Sequence, residues 1–108
     1  MRMLSFMVDG DTIVKDPTCD FSGLSSVKDE FVKAKFTFSE EWAGAVIVLG
    51  ITSFRYEYDP IIVGKDGRCQ IPTKVFQRSI FDIQLFGRNG NVHLKTNPLK
   101  INQNGGVR

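Results

Sequence analysis

Phe81-Asp82-Ile83-Gln84-Leu85 constrains this chain more than any other stretch, because apolar and polar residues alternate along it with a period of two. Successive side chains on a strand point to opposite faces, so Phe81, Ile83 and Leu85 share a buried face while Asp82 and Gln84 face water. Phe86 falls on the polar face, where it is exposed unless another surface covers it. The strand stops at the Gly87-Arg88-Asn89-Gly90 turn. Upstream, Cys69-Gln70-Ile71 runs into Pro72, which has no N–H for a ladder, so that strand ends there or lies at a sheet edge.

The same period returns along the chain. Leu4 to Val8 and Thr12 to Val14 flank Asp9-Gly10-Asp11, the turn chemistry of a hairpin; Asp9 and Asp11 lack the further spaced oxygen donors of a calcium loop. Lys15 to Ser26 has no period and reads as a loop crossing between sheets. Val32, Ala34, Phe36 and Phe38 alternate with Lys33, Lys35 and Thr37. Ser39-Glu40-Glu41-Trp42 opens a short helical turn with Ser39 as its N-cap, and Trp42 drops into the core at the corner. Phe54, Tyr56 and Tyr58 alternate with charged residues and are expected to stack their rings in the core. Ile61 to Val63, Val92 to Thr96 and Pro98 to Ile101 complete the strands.

Ala45 to Ile51 is apolar at both parities: Val46 and Val48 on one face, Ala45, Ile47, Leu49 and Ile51 on the other. A strand apolar on both sides is covered on both sides. In a two-layer sandwich only one face meets the core, so the second face needs a loop, a helix or another chain, with a loop of the same chain and an oligomer contact as the readings set against each other.

One domain suits 108 residues, and the 42% hydrophobic content supports a single core. A net charge of +2 gives no basic stripe, so a nucleic-acid partner is not expected. No apolar run approaches a membrane span, and the N-terminus lacks the apolar stretch and cleavage site of a signal peptide. Cys19 and Cys69, the only cysteines, are read as free thiols.

Chemistry-bearing patterns are missing. His93, the single histidine, lies on the polar face of its strand, and two Cys with one His at no ligand spacing make no zinc site. There is no phosphate loop, nucleophile elbow or His-Glu-x-x-His. Glu40 and Glu41 are adjacent and point in different directions, with no second polar group converging on them. The expectation is therefore no catalytic residue, no metal and no cofactor, and an activity that is not enzymatic.

Taken in order, several pieces form a familiar set: the Asp-Gly turn, Phe36-x-Phe38-Ser39-Glu40-Glu41-Trp42, Gly67-Arg68-Cys69-Gln70-Ile71-Pro72, the Phe81 to Gly87 strand, and Lys95-Thr96-Asn97-Pro98. From about Leu4 to Gly105 this order resembles the N-terminal domains of head-fibre and baseplate or tail-associated appendage proteins from phages of Gram-positive bacteria. The resemblance implies an immunoglobulin-like sandwich that anchors a longer fibre, often trimeric, to the virion. It carries over no catalytic residue. The familiar pattern usually continues into a fibre region, whereas this sequence stops at Arg108.

The combined expectation is an all-β, immunoglobulin-like sandwich of about seven or eight strands, with at most one short helical turn near residues 39–43. The sandwich spans residues 1–102, and 103–108 form a polar, Gly-rich exit tail. The function expected is structural: a virion domain, made in the host cytoplasm, that holds a fibre or appendage on the capsid or baseplate. Val46, Val48 and Phe86 are the candidate contact residues, and the partners are copies of itself, with a trimer expected, and a capsid or baseplate protein. The second reading is a small phage-encoded inhibitor that binds and blocks a host protein.

Overall fold

The computed structural model describes residues 3–24 and 27–102, so the expected exit tail at 103–108 lies outside the described residues. Among the described residues the alternating stretches form ten strands: β1 (Met3–Asp9), β2 (Thr12–Lys15), β3 (Phe31–Phe38), β4 (Val46–Ser53), β5 (Tyr56–Glu57), β6 (Ile61–Val63), β7 (Arg68–Pro72), β8 (Ile80–Asn89), β9 (Val92–Lys95) and β10 (Leu99–Asn102). The first sheet has the order β2-β1-β3-β7. The second has the order β10-β8-β4-β5, with β6 also paired to β4 and β9 also paired to β8. The chain is an all-β sandwich of these two sheets.

The strand number exceeds seven or eight for a simple reason. Pro60 separates β5 from β6 along one flank of β4, and Asn97-Pro98 separates β9 from β10 along one flank of β8. Each sheet is thus about four strands wide. Against the single short turn expected near residues 39–43, the described residues hold, besides the one at Glu40–Trp42, a 3-10 turn at Thr73–Gln77. It follows Pro72 and places Val75 and Phe76 side by side in the core, an adjacency that strand alternation cannot supply.

The core is where the inward parities meet. Leu4, Phe6, Val8, Val32, Ala34, Phe36, Cys69 and Ile71 come from the first sheet; Ile47, Leu49, Ile51, Phe81, Ile83, Leu85 and Ile101 come from the second. Phe6 stacks on Phe36 with ring centroids 5.0 Å apart, and Phe21 leans on Phe6 at 5.3 Å. Each such ring withdraws enough apolar area to stabilise the fold by roughly 2–3 kcal/mol.

Trp42 is buried, and the corner around it is clasped from two sides. Its indole Nε1–H donates to the Gly10 carbonyl at 2.7 Å, and the Ser39 hydroxyl accepts the Gly10 N–H at 2.9 Å. Ser39 stands at the N-cap position, yet its side chain serves this clasp and makes no capping bond. The indole ring lies against Gly87 of β8, where an added Cβ would meet it at 2.6 Å. Gly87 is therefore required by close approach; it lies within β8, paired with Ile47 and Leu94, and the strand runs on to Asn89, past the stop expected at Gly87.

Two further expectations are corrected. The loop from Lys15 does not pass to the other sheet; β1 and β3 are parallel neighbours, so the chain leaves β2 and returns to the same sheet on the far side of β1. Parallel neighbours require such a crossover. On the way it sinks Phe21 and Leu24 into the core. The aromatic stretch is the second case. Phe54 is 80% exposed with φ at 56°, Tyr56 is also exposed, and only Tyr58 packs against the core. Tyr56 pairs with buried Ser53 across the β4–β5 hairpin, so its parity is inward, yet it is 52% exposed.

Both flanks of the sandwich are joined. On one, β6 turns into β7, with the Gly64 N–H donating to the Arg68 carbonyl at 2.9 Å. On the other, Asn97 bridges the sheets: its Oδ1 accepts the Ile13 N–H at 2.9 Å and its own N–H donates to the Asp11 carbonyl at 2.9 Å. Buried Thr96 supports the bridge, accepting the Leu85 N–H at 3.1 Å and donating to the Asn97 carbonyl at 2.9 Å. Among the described residues no helix is long and apolar enough to cross a membrane.

Candidate functional site

The inward parity of β4 is the odd one, Ile47, Leu49 and Ile51, which leaves Val46 and Val48 on the outer face of the second sheet. The register brings the sequence candidates together: Val48 pairs with Phe86 of β8, and Val46 is two residues away on the same face. On its other side Val48 pairs with Ile62 of β6. Ile62, Val48 and Phe86 thus form an apolar row across three strands.

This row is accessible. Ile62 is 74% exposed, Val46 69% and Phe86 41%, while Val48 is half-buried between its neighbours. Gly50 lies beneath the edge of Phe86, where an added Cβ would stand 3.2 Å from the ring. The missing side chain leaves room for the aromatic ring on this face.

Sequence reasoning missed Ile62. It sits in an unbroken Ile61-Ile62-Val63 run, and only its parity opposite Val63, which is buried, marks it as outward. A groove of about 840 Å³ adjoins the row, between the corner that follows β3 and the β6–β7 turn. Val46 and Ile62 form its lip, and Trp42, Ile47 and Val63 lie deeper.

Around the apolar row the outer face is ordered by charge. Two steps along the strands lie Gln84 and Gly50; two steps further, Lys100, Asp82, Thr52 and Glu57 form a second row across β10, β8, β4 and β5. Lys95 extends the apolar row beyond Phe86, and His93 and Arg88 lie level with Val46. His93 is exposed and faces Arg88 across the β8–β9 hairpin.

Elsewhere, local hydrogen bonds or burial shift individual ionisable groups. The Glu41 carboxyl is held below its usual range, chiefly by a hydrogen bond from the Ser39 hydroxyl. Asp16 is likewise lowered, first by the Thr18 backbone N–H and then by the Thr18 hydroxyl. Burial pushes the Cys69 thiol up to about 12, which keeps it protonated and unreactive at neutral pH. Both cysteines are free thiols, Cys69 buried and Cys19 half-buried with its Sγ 3.4 Å from the Met3 carbonyl. Among the described residues no three His, Cys, Asp or Glu side chains are grouped to hold a metal ion.

Comparison of the chain with protein-family models, with curated proteins and with solved structures finds no significant match.

Proposed function

We propose that this chain is a structural attachment module of a phage particle, anchoring a fibre or appendage to the capsid or baseplate by protein contact at the outer face of its second sheet. The observation that carries the contact surface is the Ile62–Val48–Phe86 row. Apolar residues aligned across three strands on the solvent side add only modest cross-strand pairing to the monomer, and an apolar patch with a polar surround is the form that protein contact surfaces take. The assignment to a phage particle rests on the order of motifs from the Asp-Gly turn to Lys95-Thr96-Asn97-Pro98. The partners in this reading are copies of the chain and a virion protein.

Mass spectrometry of purified particles tests it. The chain is expected among the virion proteins, and a phage carrying Val48→Lys is expected to incorporate several-fold less of it. Particles that never contain the chain, alongside its capture on a single host enzyme, would replace this reading with the inhibitor.

A further inference from the structure

Accepting the outer face of the second sheet as a contact surface, its charge order selects one way for that surface to meet itself. Across the sheet the strands run β9 and β10, then β8, then β4, then β5 and β6. The charged row therefore has Lys100 at one end and Glu57 at the other, with Asp82 and Thr52 between them. The apolar row, four residues along the strands, has Lys95 at one end and Ile62 at the other.

We propose that two copies of the chain pack these faces together about a two-fold axis running parallel to the strands, between β4 and β8. Such an axis exchanges the two ends of each row and keeps the rows themselves in register. Lys100 of each copy then faces Glu57 of the other, and Phe86 faces Val48. The Lys95 and Arg88 stems lie along apolar neighbours with their charged heads at the rim. A crosswise axis through the apolar row sets Lys95 against its own copy and gives Lys100 no acidic counterpart. Charge complementarity thus selects the lengthwise axis.

The size of the face sets the strength. Four strands about 4.8 Å apart and about seven residues of roughly 3.3 Å each cover on the order of 400 Å² per copy. That is about half the area each partner contributes to a standard stable interface, so the dimer is a weak one, dissociating at roughly tens to hundreds of micromolar. A two-fold contact closes on itself, so this face builds a dimer and does not build the trimer expected from sequence.

Sedimentation equilibrium of the full chain from about 10 μM to 1 mM is expected to show monomer and dimer. Lys100→Glu and Glu57→Lys, each made alone, are expected to weaken the dimer about tenfold or more, since each breaks two symmetric contacts and places like charges opposite one another. Combining them restores the dimer to within about threefold of the original. Lys100→Glu sets a new carboxylate beside Asp82, whereas Glu57→Lys sits beside Thr52 in its own sheet, so the latter gives the cleaner single variant. A monomer throughout, a trimer, a dimer insensitive to both reversals, or a failure of the combined variant to recover would each overturn the proposal. None of these outcomes bears on whether purified particles contain the chain, so the two readings fail separately.

Discussion

The two outer faces of this sandwich differ more than the two inner ones. On the first sheet the central strand β3 turns Lys33 and Lys35 outward, with Gln70 and Arg68 beside them on β7. On the second sheet the central strand β4 turns Val46, Val48 and Gly50 outward, with Phe86 and Ile62 on either side of Val48. Met7 and Val14 are also exposed and paired on the first sheet, but their row ends at Thr37 and lies beside β2, at the edge. Charge on a central strand keeps a face hydrated and blocks stacking; an apolar central strand leaves the face open to a partner. The inner parity makes the fold, and the outer parity of the central strand decides which side is used.

The strongest test of that contrast lies inside. Phe36→Ala under the first sheet and Phe81→Ala under the second are both fully buried ring losses and are each expected to cost about 3–5 kcal/mol in denaturant unfolding. A large inequality between them would mean that the inner faces are not equivalent and that the contrast is not confined to the outside. Asn97→Ala is next: it removes the acceptor for the Ile13 N–H, and a loss of about 1–2 kcal/mol is expected from the same measurement. No loss would show that the sheets hold together without this bridge. The smallest effect concerns the outer faces themselves. Lys35→Ala and Val48→Thr are each expected to leave monomer stability within about 0.5 kcal/mol, while only Val48→Thr weakens self-association in sedimentation. Equal effects of the two on association would erase the distinction between the faces.

Much of the sandwich was legible because alternation is local. Val32, Ala34 and Phe36, and Phe81, Ile83 and Leu85, point inward as their spacing requires, and Trp42 fills the corner. What alternation omits is how far cover extends: Tyr56 has inward parity on the two-residue β5, yet remains exposed. Nor does it reveal non-alternating core residues such as Val75 and Phe76, or Phe21 and Leu24 in a loop without a period. The contact row was half legible. Val46, Val48 and Phe86 carry the signal of apolar residues at the wrong parity, while Ile62 is hidden inside an apolar run. Their alignment is a property of register between strands distant in sequence.

The Asn97 bridge also bears on how the molecule is made. A ribosome releases the β1–β2 hairpin first, yet the amide that fastens Ile13 and Asp11 to the opposite sheet emerges 84 residues after Ile13. The opening hairpin can pair with β3 and close on the Trp42 corner well before then, but its turn is fastened to the opposite sheet only once Asn97 follows, so the joining of this flank is a late event in synthesis.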